Sequence, residues 1–289
     1  MKRQDIKRYG VCRLSLVPVW LKPDTRSILI SQVLLGESIE VVTIKNKHWI
    51  KIKCLYDQVI GFADPKQFWF YQDEENEPED YAYSVAMELS QIAFSKELSI
   101  NVLLGSTLTS FDGISFYLRN SKFSYSGQAM SKQDKLVPLD LFDKIVRRFL
   151  MSPECKGGRS VFGIDSSAFV QLAFKIFHIP LPRYAYYQVD MGVPVLFHSE
   201  ARTGDLVFCE SKEGMIDHVG IVLENRRIIH VHGHVRIDKL DQHGIFNLEE
   251  RRYTHRLRII KRINDWLSYG ENENLDEVSL TNVKPGDGL

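Results

Sequence analysis

Cysteine is scarce and scattered. Cys12, Cys54, Cys155 and Cys209 are the four in 289 residues, and none forms a CxxC pair. That spacing argues against a zinc ribbon and against a disulfide framework. The expectation is no metal and no cofactor. Cys12, Cys54 and Cys209 read as small buried apolar residues, and Cys155 as a loop or core thiol. An excess of either charge is also missing: 37 Lys and Arg balance 37 Asp and Glu. A nucleic-acid footprint needs a concentrated basic surface, so no nucleic-acid partner is expected. No apolar run approaches the ~20 residues of a membrane-spanning helix. The opening "MKRQDIKRYGVCRLSLVPVW" has basic residues but no continuous apolar stretch of the signal-peptide kind. A cytoplasmic protein is expected, or an envelope or secreted one if a leader has been removed.

The residues present suffice for more than one core: 44% are hydrophobic and 26% charged. Residues 1–72 carry short alternating segments, among them "VVTIKNKHWIKIKCL" with an Asn46-Lys47 turn, and read as a small β-barrel. Residues 73–84 hold an acidic run, Asp73, Glu74, Glu75, Glu77, Glu79 and Asp80, with the composition of a solvated linker. Residues 85–134 form a second β-rich segment. From 135 to 268 the pattern changes. "PLDLFDKIVRRFLM" predicts an amphipathic helix ending near Met151. A second helix starts at Ser166 with Asp165 as its N-cap and Phe169, Val170, Ala173, Phe174 and Phe177 on a wide apolar face. The strands "DLVFC", "HVGIVLE", "RIIHVHG", "HVRID" and "HRLRIIKRI" follow as an antiparallel meander. Residues 269–289 read as a tail. The fold class is α+β: helices packed on an antiparallel sheet, preceded by one or two small β-barrels.

Ser166 opens a helix, and a helix start presents unpaired N–H groups and partial positive charge. Such a place lowers a thiol's pKa and can hold an oxyanion. It suits a cysteine nucleophile with an imidazole base and a group that orients the imidazole. His218 and His230 lie on consecutive strands that can share a face. His232 and His234 compete for the second role.

"GGRSVFGIDSSAFVQ", "GDLVF", "HVGIVL" and "RIIH" occur in the order found in NlpC-type cell-wall peptidases, which this part of the chain resembles. That family is papain-like, and its helix start usually reads Asp-Cys-Ser-Gly/Ala-Phe. The resemblance implies a nucleophile position at Ser166, a general base at His218 and an orienting residue at His230. It implies that Asp165 and Ser167 grip the free L-Ala-γ-D-Glu end of a murein peptide. Arg183 and Tyr184 are further candidates for substrate contact. Members with such N-terminal domains cut after γ-D-Glu, before the diamino acid. The β-rich first half resembles the bacterial SH3-like domains that precede this catalytic domain.

The departures are specific. Serine stands where the family has cysteine. Glu154 and Lys156 occupy positions usually aromatic, and Tyr184 stands where many relatives carry Asp. Natural divergence, an engineered change and a working serine nucleophile are three readings of Ser166. A murein-peptide hydrolase and a non-catalytic binder of such peptides or of a protein partner both stay open. An acyltransferase is a third class.

Overall fold

The computed structural model describes residues 8–71, 82–132, 137–263 and 267–268. The acidic run of the expected linker and the tail 269–289 lie outside the described residues.

The first β unit is a seven-stranded antiparallel sheet. Its strands are β1 (Arg8–Cys12), β2 (Leu16–Trp20), β3 (Leu29–Leu34), β4 (Ser38–Asn46), β5 (Trp49–Cys54), β6 (Ile60–Ala63) and β7 (Phe68–Phe70), in the order β3-β2-β6-β5-β4-β1-β7. Alternation drives it. On β5, Ile50, Ile52 and Cys54 are buried and their neighbours are not, as a half-buried strand requires. The turn after β4 is held by Asn46 Oδ1, which accepts from the His48 and Trp49 N–H groups at 2.8 and 3.0 Å. The second unit, β8 (Tyr83–Ala86), β9 (Ser90–Phe94), β10 (Ser99–Leu103), β11 (Thr107–Thr109), β12 (Ser115–Leu118), β13 (Ser121–Tyr125) and β14 (Ala129–Ser131), is another seven-stranded sheet. The two units touch at Gly36, whose φ of +77° and closeness to the Thr107 carbonyl leave no room for a side chain.

The remaining elements are β15 (Val137–Pro138), α1 (Leu139–Arg147), the hairpin β16 (Arg159–Ser160) and β17 (Gly163–Ile164), α2 (Ser166–Lys175), α3 (Ala185–Gln188), β18 (Val193–Val195), β19 (Leu206–Glu210), β20 (Ile216–Leu223), β21 (Arg227–His232), β22 (His234–Asp241), β23 (Gly244–Asn247), β24 (Arg252–Arg262) and β25 (Leu267–Ser268). Strands outweigh helices, so the α+β expectation holds only coarsely. The first helix ends at Arg147 rather than near Met151. Met151 turns into the left-handed region at φ 69°, and its N–H bonds the Val235 carbonyl of β22 at 3.0 Å. The meander forms as expected, with one addition. β23 pairs with both β22 and β24, and β24 also pairs with β19. Strands β19 to β24 therefore close into a six-stranded barrel.

The barrel has two apolar faces. Leu206, Phe208, Val219, Ile221, Ile229 and Val231 pack outward against Phe142, Phe149, Phe169 and Phe174 of the helical layer. Val207, Cys209, Val222, Ile228, Leu240 and Ile245 form a separate cluster on the inner face. Cys12, Cys54 and Cys209 are buried and Cys155 is exposed.

Candidate active site

Ser166 is the first residue of α2. Asp165 caps the helix by accepting from the Ala168 N–H at 2.9 Å. Every residue of α2 after Ser166 is buried, including Gln171 and Lys175. A helix with polar groups buried all round needs partners for them. The first β unit supplies the central one. Glu37, in the turn between β3 and β4, accepts from both terminal nitrogens of Arg159 at 2.8 Å and from Lys175. Arg159 also donates to Gln171 Oε1 at 2.6 Å, and Lys175 to the Gly105 carbonyl of the second unit at 2.8 Å. Burial alone would raise the Glu37 carboxyl, but the two cations hold it at about 2. Burial pushes the Lys175 ammonium down to about 8 against the pull of Glu37. The serine-bearing helix is thus fastened to both β units by one buried charge cluster.

The loop leading to Ser166 rests directly on β3. Gly157 has a φ of +77°, and a Cβ there would lie 2.0 Å from the Leu29 carbonyl oxygen. Arg183 donates to Asp165 through both terminal nitrogens, at 2.8 and 2.6 Å, to Ser167 Oγ at 3.1 Å and to Ser31 Oγ of β3 at 3.3 Å. Ser167 Oγ and the Gly157 N–H also donate to the Asp165 carboxylate. The structure brings Asp165, Ser167 and Arg183 together, but as a closed network. Asp165 already accepts five hydrogen bonds, so a substrate amine would have to compete with Arg183 for it. Tyr184 packs on the first unit's core, with its hydroxyl 3.5 Å from the Ile30 carbonyl, and stacks on Tyr186.

His218 and His230 share the inner face of the barrel, on strands against which α2 packs. Gly220 makes the pairing possible: a Cβ at that position would meet His230 Cβ at 2.9 Å. His218 Nε2 lies 3.0 Å from His230 Nδ1, and His230 Nε2 lies 3.1 Å from Asp238 Oδ2. The chain of bonds sets the tautomers. An ionised carboxylate only accepts, so His230 carries its proton on Nε2 and accepts at Nδ1. His218 must then donate from Nε2, which leaves its Nδ1 as a bare lone pair. Burial pushes the His218 imidazolium well below its usual range, and the neighbouring His255, His230 and His232 add to the effect. Burial also lowers His230, while Asp238 opposes the shift. Burial alone would raise the Asp238 carboxyl, but hydrogen bonds from His230, Arg236 and the Leu248 N–H hold it far below the usual range.

Asp238 was not among the residues singled out from the sequence. It sits on "HVRID", a strand whose register with β21 places it near His230 only in the folded sheet. His232 bonds Glu250 instead of joining the relay. Among the described residues the Ser166 hydroxyl makes no hydrogen bond to His218, contrary to the geometry expected for a preformed nucleophile–base pair. A neutral hydroxyl gains less from such a bond than a thiol that can ionise, and catalytic bonds often tighten only with substrate.

Residues 155–254 match the NlpC/P60 family model. This part of the chain is similar to the NlpC/P60 family. The gamma-D-glutamyl-L-lysine dipeptidyl-peptidase of Bacillus subtilis (strain 168) is 26% identical over 227 residues, covering 71% of this chain and 73% of that protein. The murein DD-endopeptidase MepS/murein LD-carboxypeptidase of Escherichia coli (strain K12) is 45% identical over 76 residues, which are 26% of this chain and 39% of the relative's length. The crystal structure of an NlpC/P60 family protein from Bacillus cereus ATCC 10987 aligns over 90% of this chain and 100% of its own, at a TM-score of 0.75 and 20% identity. An NlpC/P60 endopeptidase from Photobacterium damselae subsp. piscicida aligns over 90% of this chain and 71% of its own, at a TM-score of 0.62 and 15% identity. The arrangement of β units around an NlpC/P60 domain is therefore a shared fold.

Proposed function

We propose that this NlpC/P60-like chain is a scaffold for hydrolysis of murein peptides in which Ser166 stands at the nucleophile position, His218 at the base and His230 at the orienting position. The observation that carries the reading is the His218–His230–Asp238 relay. It leaves one acceptor nitrogen on His218, and the strand bearing it packs against the helix that Ser166 opens. The relatives named for murein and γ-D-glutamyl peptides support a murein-derived peptide as ligand, and we take its free L-Ala-γ-D-Glu end as the part that is bound. We read the two N-terminal sheets as SH3-like units and the C-terminal part as papain-like, with boundaries near residues 72, 85, 135 and 268. The first unit would wall the peptide site through β3.

The serine makes the hydrolase slow or silent. A hydroxyl is far less acidic than a thiol, and neutral His218 has no preformed bond with it. A binding role has a second observation behind it: Arg183 pairs with Asp165 through both terminal nitrogens, so a peptide amine would share that carboxylate with a guanidinium. The test is turnover of an L-Ala-γ-D-Glu-diamino-acid peptide by the protein and by Ser166→Cys, with binding of the uncleaved peptide measured in parallel. Turnover restored by Ser166→Cys supports the scaffold reading. Binding without turnover in either supports the binding module. Turnover by the serine protein at ordinary enzymatic rates would establish a serine hydrolase instead.

A further inference from the structure

Three imidazoles from three strands meet inside the barrel. His218 of β20, His230 of β21 and His255 of β24 each offer a ring nitrogen, and the three nitrogens lie within 4.8 Å of one another. β24 arrives there because the barrel closes: Ile245 of β23 pairs with His255. The outer nitrogens of two rings are already held. His230 Nε2 bonds Asp238 Oδ2 at 3.1 Å, and His255 Nδ1 lies 2.9 Å from Thr254 Oγ1. The rings of His218 and His230 stand nearly perpendicular at 82°, as do those of His230 and His255 at 85°, while His218 and His255 stack with centroids 3.7 Å apart.

We propose that His218, His230 and His255 form a binding site for one divalent transition-metal ion of the zinc type, with Asp238 and Thr254 supporting its ligands from behind. Imidazole nitrogens are the donors such an ion prefers, and a three-histidine set leaves a fourth position open. A carboxylate on the far nitrogen of a ligating histidine is the usual support. With metal–nitrogen distances of ~2.0–2.1 Å, neighbouring ligand nitrogens stand roughly 3.3 Å apart. The His218–His230 pair at 3.0 Å needs to spread by only a few tenths of an ångström, and His255 must turn out of its stack.

The consequence for the site rests on the reading of His218 as general base. The ion would take the Nδ1 lone pair of His230 and the Nε2 lone pair of His218. The proton now on His218 Nε2 would move to Nδ1, so the ring stays neutral but no longer offers an acceptor there. Metal loading and base chemistry at His218 exclude each other.

The experiment uses the full chain and Co²⁺ as probe, read by the visible absorption of a four-coordinate ion, with Zn²⁺ titrated calorimetrically. The expected result is one ion per chain. Affinity should fall at least ~10²-fold in His255→Ala and ~10–100-fold in Asp238→Asn. His255→Phe keeps a ring stacked on His218 and guards against misfolding, and it should lose the ion as His255→Ala does. No bound ion, or binding unchanged in His255→Phe, overturns the proposal. Neither readout requires turnover, so failure here is separate from failure of the proposed function.

Discussion

His230 and Asp238 lie 3.1 Å apart, and both side chains are completely buried. A buried carboxylate must be paired, and Asp238 is paired twice, to His230 and to Arg236 at 2.8 Å. The consequence reaches past the pair. Asp238 decides which nitrogen of His230 carries a proton, and His230 decides the same for His218. In Ser166→Cys, the further change Asp238→Asn should therefore lower turnover by at least ~10²-fold, as loss of an orienting carboxylate does elsewhere, with little change in KM. Equal turnover would show that the relay does not set the tautomer.

Acid should destabilise the fold earlier than its carboxylates alone would. His218, His230 and His255 are all held below the ordinary histidine value, His255 at about 3 against 6.5. A folded pKa below the unfolded one means that the unfolded chain takes up the proton first. Stability is thus complete above about 6.5 and falls as pH drops toward 3, by up to ~1.4 kcal/mol per pH unit for each ring. Glu37, held at about 2 against 4.5, adds to the loss below 4.5. Urea midpoints measured from pH 7.5 to 4.5 should decline, and His255→Phe should flatten the slope. A flat profile in the parent protein would contradict the assignment of neutral buried rings.

Glu37→Gln should cost ~3–5 kcal/mol, because Arg159 and Lys175 would keep their burial and lose their counter-charge. The exposed Asp24–Arg26 pair serves as the control, and Asp24→Asn should leave Tm unchanged. If both variants melt alike, the buried cluster does not fasten α2 to the β units.

Gly220→Ala should disturb the histidine pair without touching either ring. The added methyl would sit 2.9 Å from His230 Cβ and 2.8 Å from Ile228 Cδ1. A loss of ~1–3 kcal/mol is expected for overpacking, with altered His218 and His230 NMR shifts. Unchanged shifts would mean that the strands accommodate the methyl elsewhere.

Periodicity and short motifs carried a large share of this architecture. The alternation of "WIKIKC" and the apolar face of α2 each follow from a local period, and the N-cap Asp165 from a local rule. What was hidden depends on pairing over distance. Gln171 and Lys175 look like the solvent side of α2, yet they are buried because Glu37, remote in sequence, meets them. β23 is too short to stand out, yet it closes the barrel and brings His255 to His218. Asp238 became legible only with strand register, and the pairing of Arg183 with Asp165 only with packing. The cysteine count bears on zinc ribbons alone, and the three histidines contributed by separate strands meet only in the folded barrel.

The central claim is that the site around residue 166 still serves a thiolate. The direct measurement is the pKa of the thiol in Ser166→Cys, taken from the pH dependence of its alkylation rate. Cys155 is exposed and must be removed as Cys155→Ala, whereas Cys12, Cys54 and Cys209 are buried. The helix start predicts a thiol pKa below the free value of ~8.5. A value at or above ~8.5 would contradict the account.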